Sequence, residues 1–151
     1  MFEIYVDGDG CPVKEEVYRV ARRYGWVVHV VANSSMRVPA EETIRLVVVG
    51  NGFDEADDWI AERIGPGDVA VTNDVRLAAR CVGRGARVLG SKGQVHTEES
   101  IGGTLAGRDL MDGLRQMGVL TPGPASFSPK HRSHFLSRLD EAIQAIRRKG
   151  T

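Results

Sequence analysis

Short apolar runs of strand length alternate with segments of helical periodicity, and this alternation restricts the possible folds more than any other feature of the chain. The apolar runs lie at residues 2–6, 26–32, 45–49, 69–72 and 87–89. Between most of them, apolar residues recur three and four positions apart, as on one face of a helix. Parallel strands need such helical crossovers. The pattern therefore predicts an α/β fold, a doubly wound parallel sheet of about five strands with helices on both faces.

The composition is typical of a globular protein with one core. The chain has 151 residues, of which 42% are hydrophobic and 26% charged, so we expect residues 1–151 to form a single domain. Its 20 basic residues balance 20 acidic ones, and the net charge therefore does not indicate a polyanionic partner. Two cysteines, Cys11 and Cys81, exclude a disulfide framework and are expected to pack in the interior.

The sequence also gives an expectation about location. No apolar run reaches the roughly 20 residues that a membrane-spanning helix needs. Met1 leads directly into the first predicted strand, without the pattern of a signal peptide. We therefore expect a cytoplasmic protein with no membrane partner, and a homodimer is compatible with the sequence.

From about residue 99 onward the chain is predicted to be a helical extension of the sheet domain. Two apolar stripes of helical spacing support this prediction: Leu110, Met111, Leu114 and Met117 form the first, and Phe135, Leu139, Ile143 and Ile146 form the second. A stiff linker at 121–124 separates them. The last helix is rich in lysine and arginine over residues 130–149, which suits either a solvated surface or contact with RNA phosphates.

Aspartates follow three of the predicted strands, at the edge of the sheet where ligands bind in this architecture. They are Asp7 and Asp9 after the first strand, Asp54, Asp57 and Asp58 after the third, and Asp74 after the fourth. Carboxylates that converge repel one another unless a cation compensates their charge, and Mg²⁺ or Mn²⁺ suits all-oxygen ligands. Such ions activate water and polarise phosphoryl oxygens. The pattern therefore predicts metal-assisted hydrolysis of a phosphodiester.

Each of these acids also has a structural interpretation. Residues 7–10 could form a turn that caps the first helix, and Asp74 could be only a helix N-cap. The acidic helix around Asp57 could be a solvated face with favourable dipole placement. Taken one at a time, the structural interpretations are the simpler ones. The site interpretation is favoured because all three groups fall on one edge of the predicted sheet.

Polar residues that could bind a phosphate lie on the same predicted edge. Asn33, Ser35 and Arg37 follow the second strand, and the arginine could bind a phosphate with two hydrogen bonds. Lys14, near the start of the first helix, could also reach a phosphate. The alternatives are a hydrogen-bonded turn for the first three residues and a solvated surface position for the lysine.

Five ordered segments resemble the uncharacterised bacterial YaiI/YqxD family. They are VDGDGCPVK at 6–14, VANSSMRVP at 31–39, GFDEADDWI at 52–60, VTNDVRLA at 71–78 and RDLMD at 108–112. The family is grouped with PIN-like (PilT N-terminal) domains, whose better-known members are ribonucleases that depend on Mg²⁺ or Mn²⁺. The resemblance implies a parallel sheet in the order 3-2-1-4-5 and an acidic pocket that binds the metal.

The resemblance also implies roles for individual acids. Asp7 matches the first-strand acid of PIN-like nucleases, and Asp74 matches the acid of their Thr-Asn-Asp motif. Asp57 is our choice for the middle acid of the catalytic set, with Asp54 and Asp58 as supporting acids. Many PIN nucleases carry a further acid two residues beyond the third, where this chain has Arg76. That difference leaves Asp9 as the substitute ligand.

Three functions remain open from the sequence. The first is a nuclease that hydrolyses single-stranded RNA, or DNA, with Asp7, Asp57 and Asp74 as its catalytic residues. The second is a PIN-like nucleic-acid-binding or interaction module that has lost catalysis. The third follows from Asp7-Gly8-Asp9-Gly10, which resembles the nucleophile loop of haloacid-dehalogenase-like phosphatases, with Asp7 as the residue phosphorylated. The order of motifs disfavours this last class, because its acidic pair follows its lysine, whereas Asp57 and Asp58 precede Lys92.

Overall fold

The structure of the protein is a computed structural model, in which the described residues form a sheet of six strands. It describes residues 2–9, 11–50, 52, 54–102 and 127–149. The strands are β1 (Glu3–Asp7), β2 (Val27–Ala32), β3 (Ile44–Val48), β4 (Val69–Val71), β5 (Arg87–Leu89) and β6 (Val95–His96). The predicted apolar stripe at 110–117, the linker at 121–124 and the motif at 108–112 lie outside the described residues.

The strand order confirms the predicted topology. The strands are arranged β3-β2-β1-β4-β5-β6, and the four pairs from β3 to β5 are parallel. This is the α/β architecture and the 3-2-1-4-5 order expected from the sequence. The sixth strand, β6, pairs antiparallel with β5 at the edge of the sheet and was not predicted. Its two residues are too few to produce a periodic pattern.

Helices follow most of the strands. They are α1 (Lys14–Tyr24), α2 (Glu55–Arg63), α3 (Val75–Gly83), α4 (residues 98–102) and α5 (Pro129–Lys149). Helix α1 ends at Gly25, whose φ of 70° is the left-handed conformation that terminates many helices. Helix α3 is preceded by its N-cap Asp74, whose side chain accepts hydrogen bonds from the backbone of the first turn. In the described part of the chain, no helix is long and apolar enough to cross a membrane.

The core consists of two apolar layers, one on each face of the sheet. Side chains alternate between the faces along each strand, so Val69 and Val71 lie in one layer and Ala70 in the other. Helices α1 and α5 cover the first face, and α2 and α3 cover the second. The predicted core face of the last helix is confirmed, because Phe135 and Leu139 are fully buried in the first layer. Burial of Cys81 in the second layer is also confirmed.

The register of the parallel strands determines which loops meet. Val6 of β1 is paired with Val71 of β4, so both strands end at the same edge of the sheet. The residues after Val71 therefore lie beside Asp7 and the loop that follows it. The fold brings the first and fourth strand ends together, as the sequence predicted for its acids.

Candidate functional site

An acidic cavity lies at the carboxyl edge of the sheet, between the ends of β1 and β4. Its volume is about 130 Å³. The aspartates that line it are Asp7, Asp9 and Asp74, and the other lining residues are Cys11, Val71, Thr72, Asn73 and Ser91. Three of the four expected metal ligands therefore share one cavity, although they come from the ends of two strands that are distant in the chain.

Thr72 joins the two principal acids. Its hydroxyl donates a hydrogen bond to Oδ2 of Asp7 at 3.0 Å and accepts one from the backbone N–H of Asp74, also at 3.0 Å. The threonine is 4% exposed, so water does not compete strongly for this hydroxyl. The arrangement fixes the distance between the two strand ends and leaves Oδ1 of Asp7 for a ligand.

Asp74 is both a helix cap and a cavity residue. Its Oδ1 accepts hydrogen bonds from the backbone N–H groups of Arg76, at 2.8 Å, and Leu77, at 3.4 Å. The prediction that Asp74 is a helix N-cap is therefore confirmed. The cap uses one oxygen, and Oδ2 has no hydrogen bond to any described residue. Capping and ligand binding are compatible because they use different atoms.

Asp9 and Asn33 connect the loops at the ends of the first three strands. Oδ2 of Asp9 accepts a hydrogen bond from the backbone N–H of Asn33 at 2.9 Å. The side-chain amide of Asn33 donates to the carbonyl of Gly50 at 2.8 Å. These contacts favour the turn interpretation of Asn33 over phosphate binding. Ser35 and Arg37 are exposed on the same loop, and neither lines the acidic cavity.

Lys14 points toward the loop that carries Asp9. Its ammonium group donates to the carbonyl of Gly8 at 3.1 Å and to that of Cys11 at 2.9 Å. Two of its three N–H groups therefore hold the loop in place, and one remains for another acceptor. The lysine contributes positive charge next to the cavity, but its observed contacts are structural.

Burial and repulsion by neighbouring carboxylates raise the pKa values of Asp57 and Asp7. The pKa of Asp57 rises to about 6, first because the group is partly buried and then because of the negative charges of Asp74, Asp7 and Asp54. The pKa of Asp7 is also raised, chiefly by burial, against the hydrogen bond from Thr72. Asp57 does not line the cavity, but it lies close enough to interact with two of its acids. The site therefore carries negative charge that a cation would stabilise.

The two supporting acids of α2 have different environments. Asp54 is exposed, immediately precedes the helix with a left-handed φ of 67°, and makes no side-chain capping bond. Asp58 accepts a hydrogen bond from Arg80 of α3 at 2.7 Å. Asp54 contributes to the electrostatic field at Asp57, whereas the charge of Asp58 is balanced locally by the arginine.

The donor set fits a hydrated hard cation better than a closed metal site. The described residues contain no group of three or more histidine, cysteine, aspartate or glutamate side chains arranged to hold a metal ion. Mg²⁺ typically binds one or two carboxylates and keeps several waters. A cavity of about 130 Å³ has room for such waters. Asp7 and Asp74 are the residues that would hold the ion, with Asp9 at the rim.

Comparison with known proteins agrees with the resemblance found in the sequence. Residues 5–145 match the family model described as "Uncharacterized BCR, YaiI/YqxD family". The chain belongs to the YaiI/YqxD family. Family members that it resembles include a UPF0178 protein of Rhodopseudomonas palustris strain BisB18, 58% identical over 96% of this chain and 94% of the relative. A UPF0178 protein of Azorhizobium caulinodans is 55% identical over 97% of this chain and 92% of the relative. No solved structure matches the chain.

The YaiI/YqxD match spans the chain from β1 into α5, so it includes every acid of the site. A more distant UPF0178 protein, from Rhodospirillum rubrum, is 50% identical over 97% of this chain and 98% of its own length. These relatives match this chain over nearly their whole lengths. The names of these relatives state no activity. The chemistry of this family member is therefore inferred from its site.

Sequence reasoning missed an amide–hydroxyl pair that closes one side of the cavity. The amide of Asn73 donates to Oγ of Ser91 at 2.8 Å, and the backbone N–H of Ser91 donates to Oδ1 of Asn73 at 2.9 Å. Ser91 is 5% exposed and follows β5, the next strand end along the sheet. The only signal in the sequence that Ser91 lines the cavity was its position two residues after a predicted strand.

Proposed function

We propose that this YaiI/YqxD family member hydrolyses phosphodiester bonds in RNA or DNA with the help of Mg²⁺ or Mn²⁺. The observation that carries the proposal is the shared cavity of Asp7, Asp9 and Asp74, with Asp57 in electrostatic contact. The strand order and the Thr-Asn-Asp sequence at 72–74 support it further, since both match what the resemblance to PIN-like nucleases implies.

The residues of the cavity have two roles: some would bind the metal ion, and another positions these ligands. A bound divalent ion would lower the pKa of a water and polarise a phosphoryl oxygen. Asp7 and Asp74 supply the carboxylates for this ion, and Thr72 holds both of them in a fixed relation. Asp57 adds a further negative charge to those of the cavity, which increases the preference of the site for a cation.

The test is cleavage of labelled single-stranded RNA and DNA by purified protein with Mn²⁺ or Mg²⁺. We expect Asp7→Asn and Asp74→Asn each to reduce the rate about 100-fold or more, since each removes a charge that holds the ion. Chelation of the metal should abolish cleavage by the wild type. Glu62→Gln is the matched control, because it removes an exposed carboxylate from α2 that lies outside the cavity.

Other results would identify the alternatives. If the wild type and both variants leave the nucleic acid equally intact but bind it equally, the protein is a binding module. If a phosphoaspartyl species can be trapped at Asp7, the phosphatase interpretation is correct. Cleavage that persists at the same rate in Asp74→Asn would exclude the acidic cavity as the catalytic site.

A further inference from the structure

Two larger cavities continue from the acidic cavity along the β5 side of the sheet. Asn73 and Ser91 line both the acidic cavity and a neighbouring cavity of about 430 Å³. Val95 and His96 line that second cavity and also a third one of about 600 Å³, next to α5. Because each cavity shares lining residues with the next, the three lie in a row along this side of the sheet. We call the second and third cavities together the lateral groove.

The lateral groove is bordered by basic side chains. Lys92 lies in its first half, and Arg87, Arg138 and Arg148 line its second half. Among the described residues, two carboxylates line the groove, those of Glu98 and Glu141. The described lining therefore has an excess of positive charge, in contrast to the acidic cavity where the groove begins.

One face of α5 forms the far wall of the groove. Residues 138, 141, 145 and 148 of this face are spaced three, four and three positions apart, so they lie in a row along the helix. Arg138 contacts Glu141 at 3.2 Å, and both side chains are largely exposed. An exposed pair of this kind contributes little to stability. Arg138 can therefore exchange its partner for a phosphate at small cost.

An exposed apolar side chain lies beside the basic ones in the groove. Val95 of β6 lines both of its cavities and is 49% exposed, whereas Val88 and Leu89 of β5, which also line the second half, are almost fully buried. An unpaired base can lie against such an exposed apolar side chain, whereas a duplex keeps its bases stacked inside. Basic side chains next to an exposed apolar one are the combination that suits a single strand.

We propose that the lateral groove binds the part of a single-stranded nucleic acid that extends from the cleaved phosphodiester toward α5. This inference rests on the proposed function of the acidic cavity and identifies its substrate as an oligonucleotide. A cation neutralises the phosphate at the acidic end, and the arginines of α5 neutralise phosphates farther along the strand. We expect a dinucleotide bound with its phosphate at the acidic cavity to be too short to reach these arginines.

The groove is tested by binding to protein that keeps all its acids, in Ca²⁺, which carboxylates also bind, with gel analysis to check that the strands stay intact. A 12-nucleotide single strand and a dinucleotide, each as RNA and as DNA, are titrated by fluorescence anisotropy at several salt concentrations. We expect Arg138→Gln and Arg148→Gln each to weaken binding of the 12-mer roughly fivefold. Each should also reduce the slope of log K against log salt by about 0.7, the loss of one phosphate contact to a single strand. Dinucleotide binding should not change.

Two further variants control for indirect effects. Arg22→Gln removes an exposed arginine that is also ion-paired, with Glu41, but lines a different cavity, so binding and salt slope should stay as they were. Ala145→Glu adds a negative charge to the groove without removing a contact. We expect it to weaken binding of the 12-mer at least as much as Arg138→Gln does.

The outcomes separate the groove from the nuclease proposal. If the wild type cleaves RNA or bis(4-nitrophenyl) phosphate with Mn²⁺, but the groove variants leave affinity and salt slope unchanged, the groove proposal is wrong and the proposed function stands. If no diester is cleaved but the variants weaken 12-mer binding as expected, the groove stands and the nuclease proposal is wrong. Equal loss for the dinucleotide would also overturn the groove, since the arginines would then act at the acidic cavity.

Discussion

At the scale of single residues, the hydroxyl of Thr72 has two partners from different strand ends. It holds the carboxylate of Asp7 and the backbone of Asp74 at 3.0 Å each. A buried hydroxyl with two such partners is costly to remove, because the groups that it satisfied remain in the interior. This makes Thr72 a positioning residue for the two acids, although it carries no charge itself.

Replacement of this hydroxyl should therefore affect both stability and metal binding. We expect Thr72→Val to lower the free energy of unfolding by about 1–3 kcal/mol, since it leaves the Asp74 N–H and an Asp7 oxygen without their partner. Thr72→Ser keeps the hydroxyl and should lose less than half as much. Urea denaturation measures the stability, and Mn²⁺ titration should show weaker binding to the valine variant. Equal effects of valine and serine would mean that the methyl group matters and the hydroxyl does not.

The acids could be found from the sequence, but their partners could not. Asp7 and Asp74 directly follow apolar runs, and parallel strand ends meet at one edge. The pairing of Asp58 with Arg80 depends on how α2 packs against α3, and no local pattern encodes that packing. In the same way, the contacts of Lys14 with loop carbonyls depend on a turn whose shape the sequence does not specify.

At the scale of elements, the turn after α1 depends on one glycine. Gly25 has a φ of 70°, and a Cβ at this position would meet no atom within 4 Å. Gly83, at the end of α3, also has open space around a Cβ, but its φ is not in the left-handed range. Substitutions at the two glycines therefore differ in the backbone conformation that the new side chain must adopt, and not in steric contact.

Alanine substitutions at these two positions should change the free energy of unfolding in opposite directions. We expect Gly25→Ala to lower the free energy of unfolding by about 1 kcal/mol, because an L-residue is disfavoured in the left-handed conformation. Gly83→Ala should raise it by up to about 0.5–1 kcal/mol, because alanine restricts the unfolded chain. Midpoints of urea unfolding provide the measurement. A loss of the same size in both variants would contradict the role of the backbone angle.

The prediction of elements from the sequence succeeded where a pattern was long enough. The strand predicted at 87–89 has the observed bounds of β5, and the core face predicted for the last helix is buried in α5. The register between β1 and β4, which places Val6 beside Val71, is set by long-range packing. That register creates the acidic cavity, so its detailed geometry required the structure.

At the scale of the whole molecule, the burial of Asp57 and Asp7 and their repulsion by neighbouring acids make stability depend on pH. In metal-free protein, the pKa of Asp57 is about 6 when folded and near 3.8 when unfolded, so the folded state binds its proton more tightly. This contribution is present below pH 3.8 and is lost as pH rises through 6. The raised pKa of Asp7 acts in the same direction.

The expected loss is measurable although solvent screens it. Asp57 is only partly buried, so we expect about 1 kcal/mol in place of the roughly 3 kcal/mol that two pKa units represent without screening. Urea denaturation in the presence of a chelator, at pH 4.5, 5.5, 6.5 and 7.5, gives the free energies of unfolding. The advantage of the wild type over Asp57→Asn should shrink as pH rises. A pH-independent difference would exclude a contribution from this carboxylate.

Helix α5 has a consequence for how the protein is made. Phe135, Leu139 and Ile143 complete the apolar layer that includes Val6 and Val71, yet the ribosome adds them after every strand. A nascent polypeptide that already carries Asp7, Asp57 and Asp74 still lacks the helix that covers part of one face of its sheet. Translation that stops before α5 therefore yields a fragment with exposed apolar surface, a target for chaperones and proteases, and not a smaller folded protein.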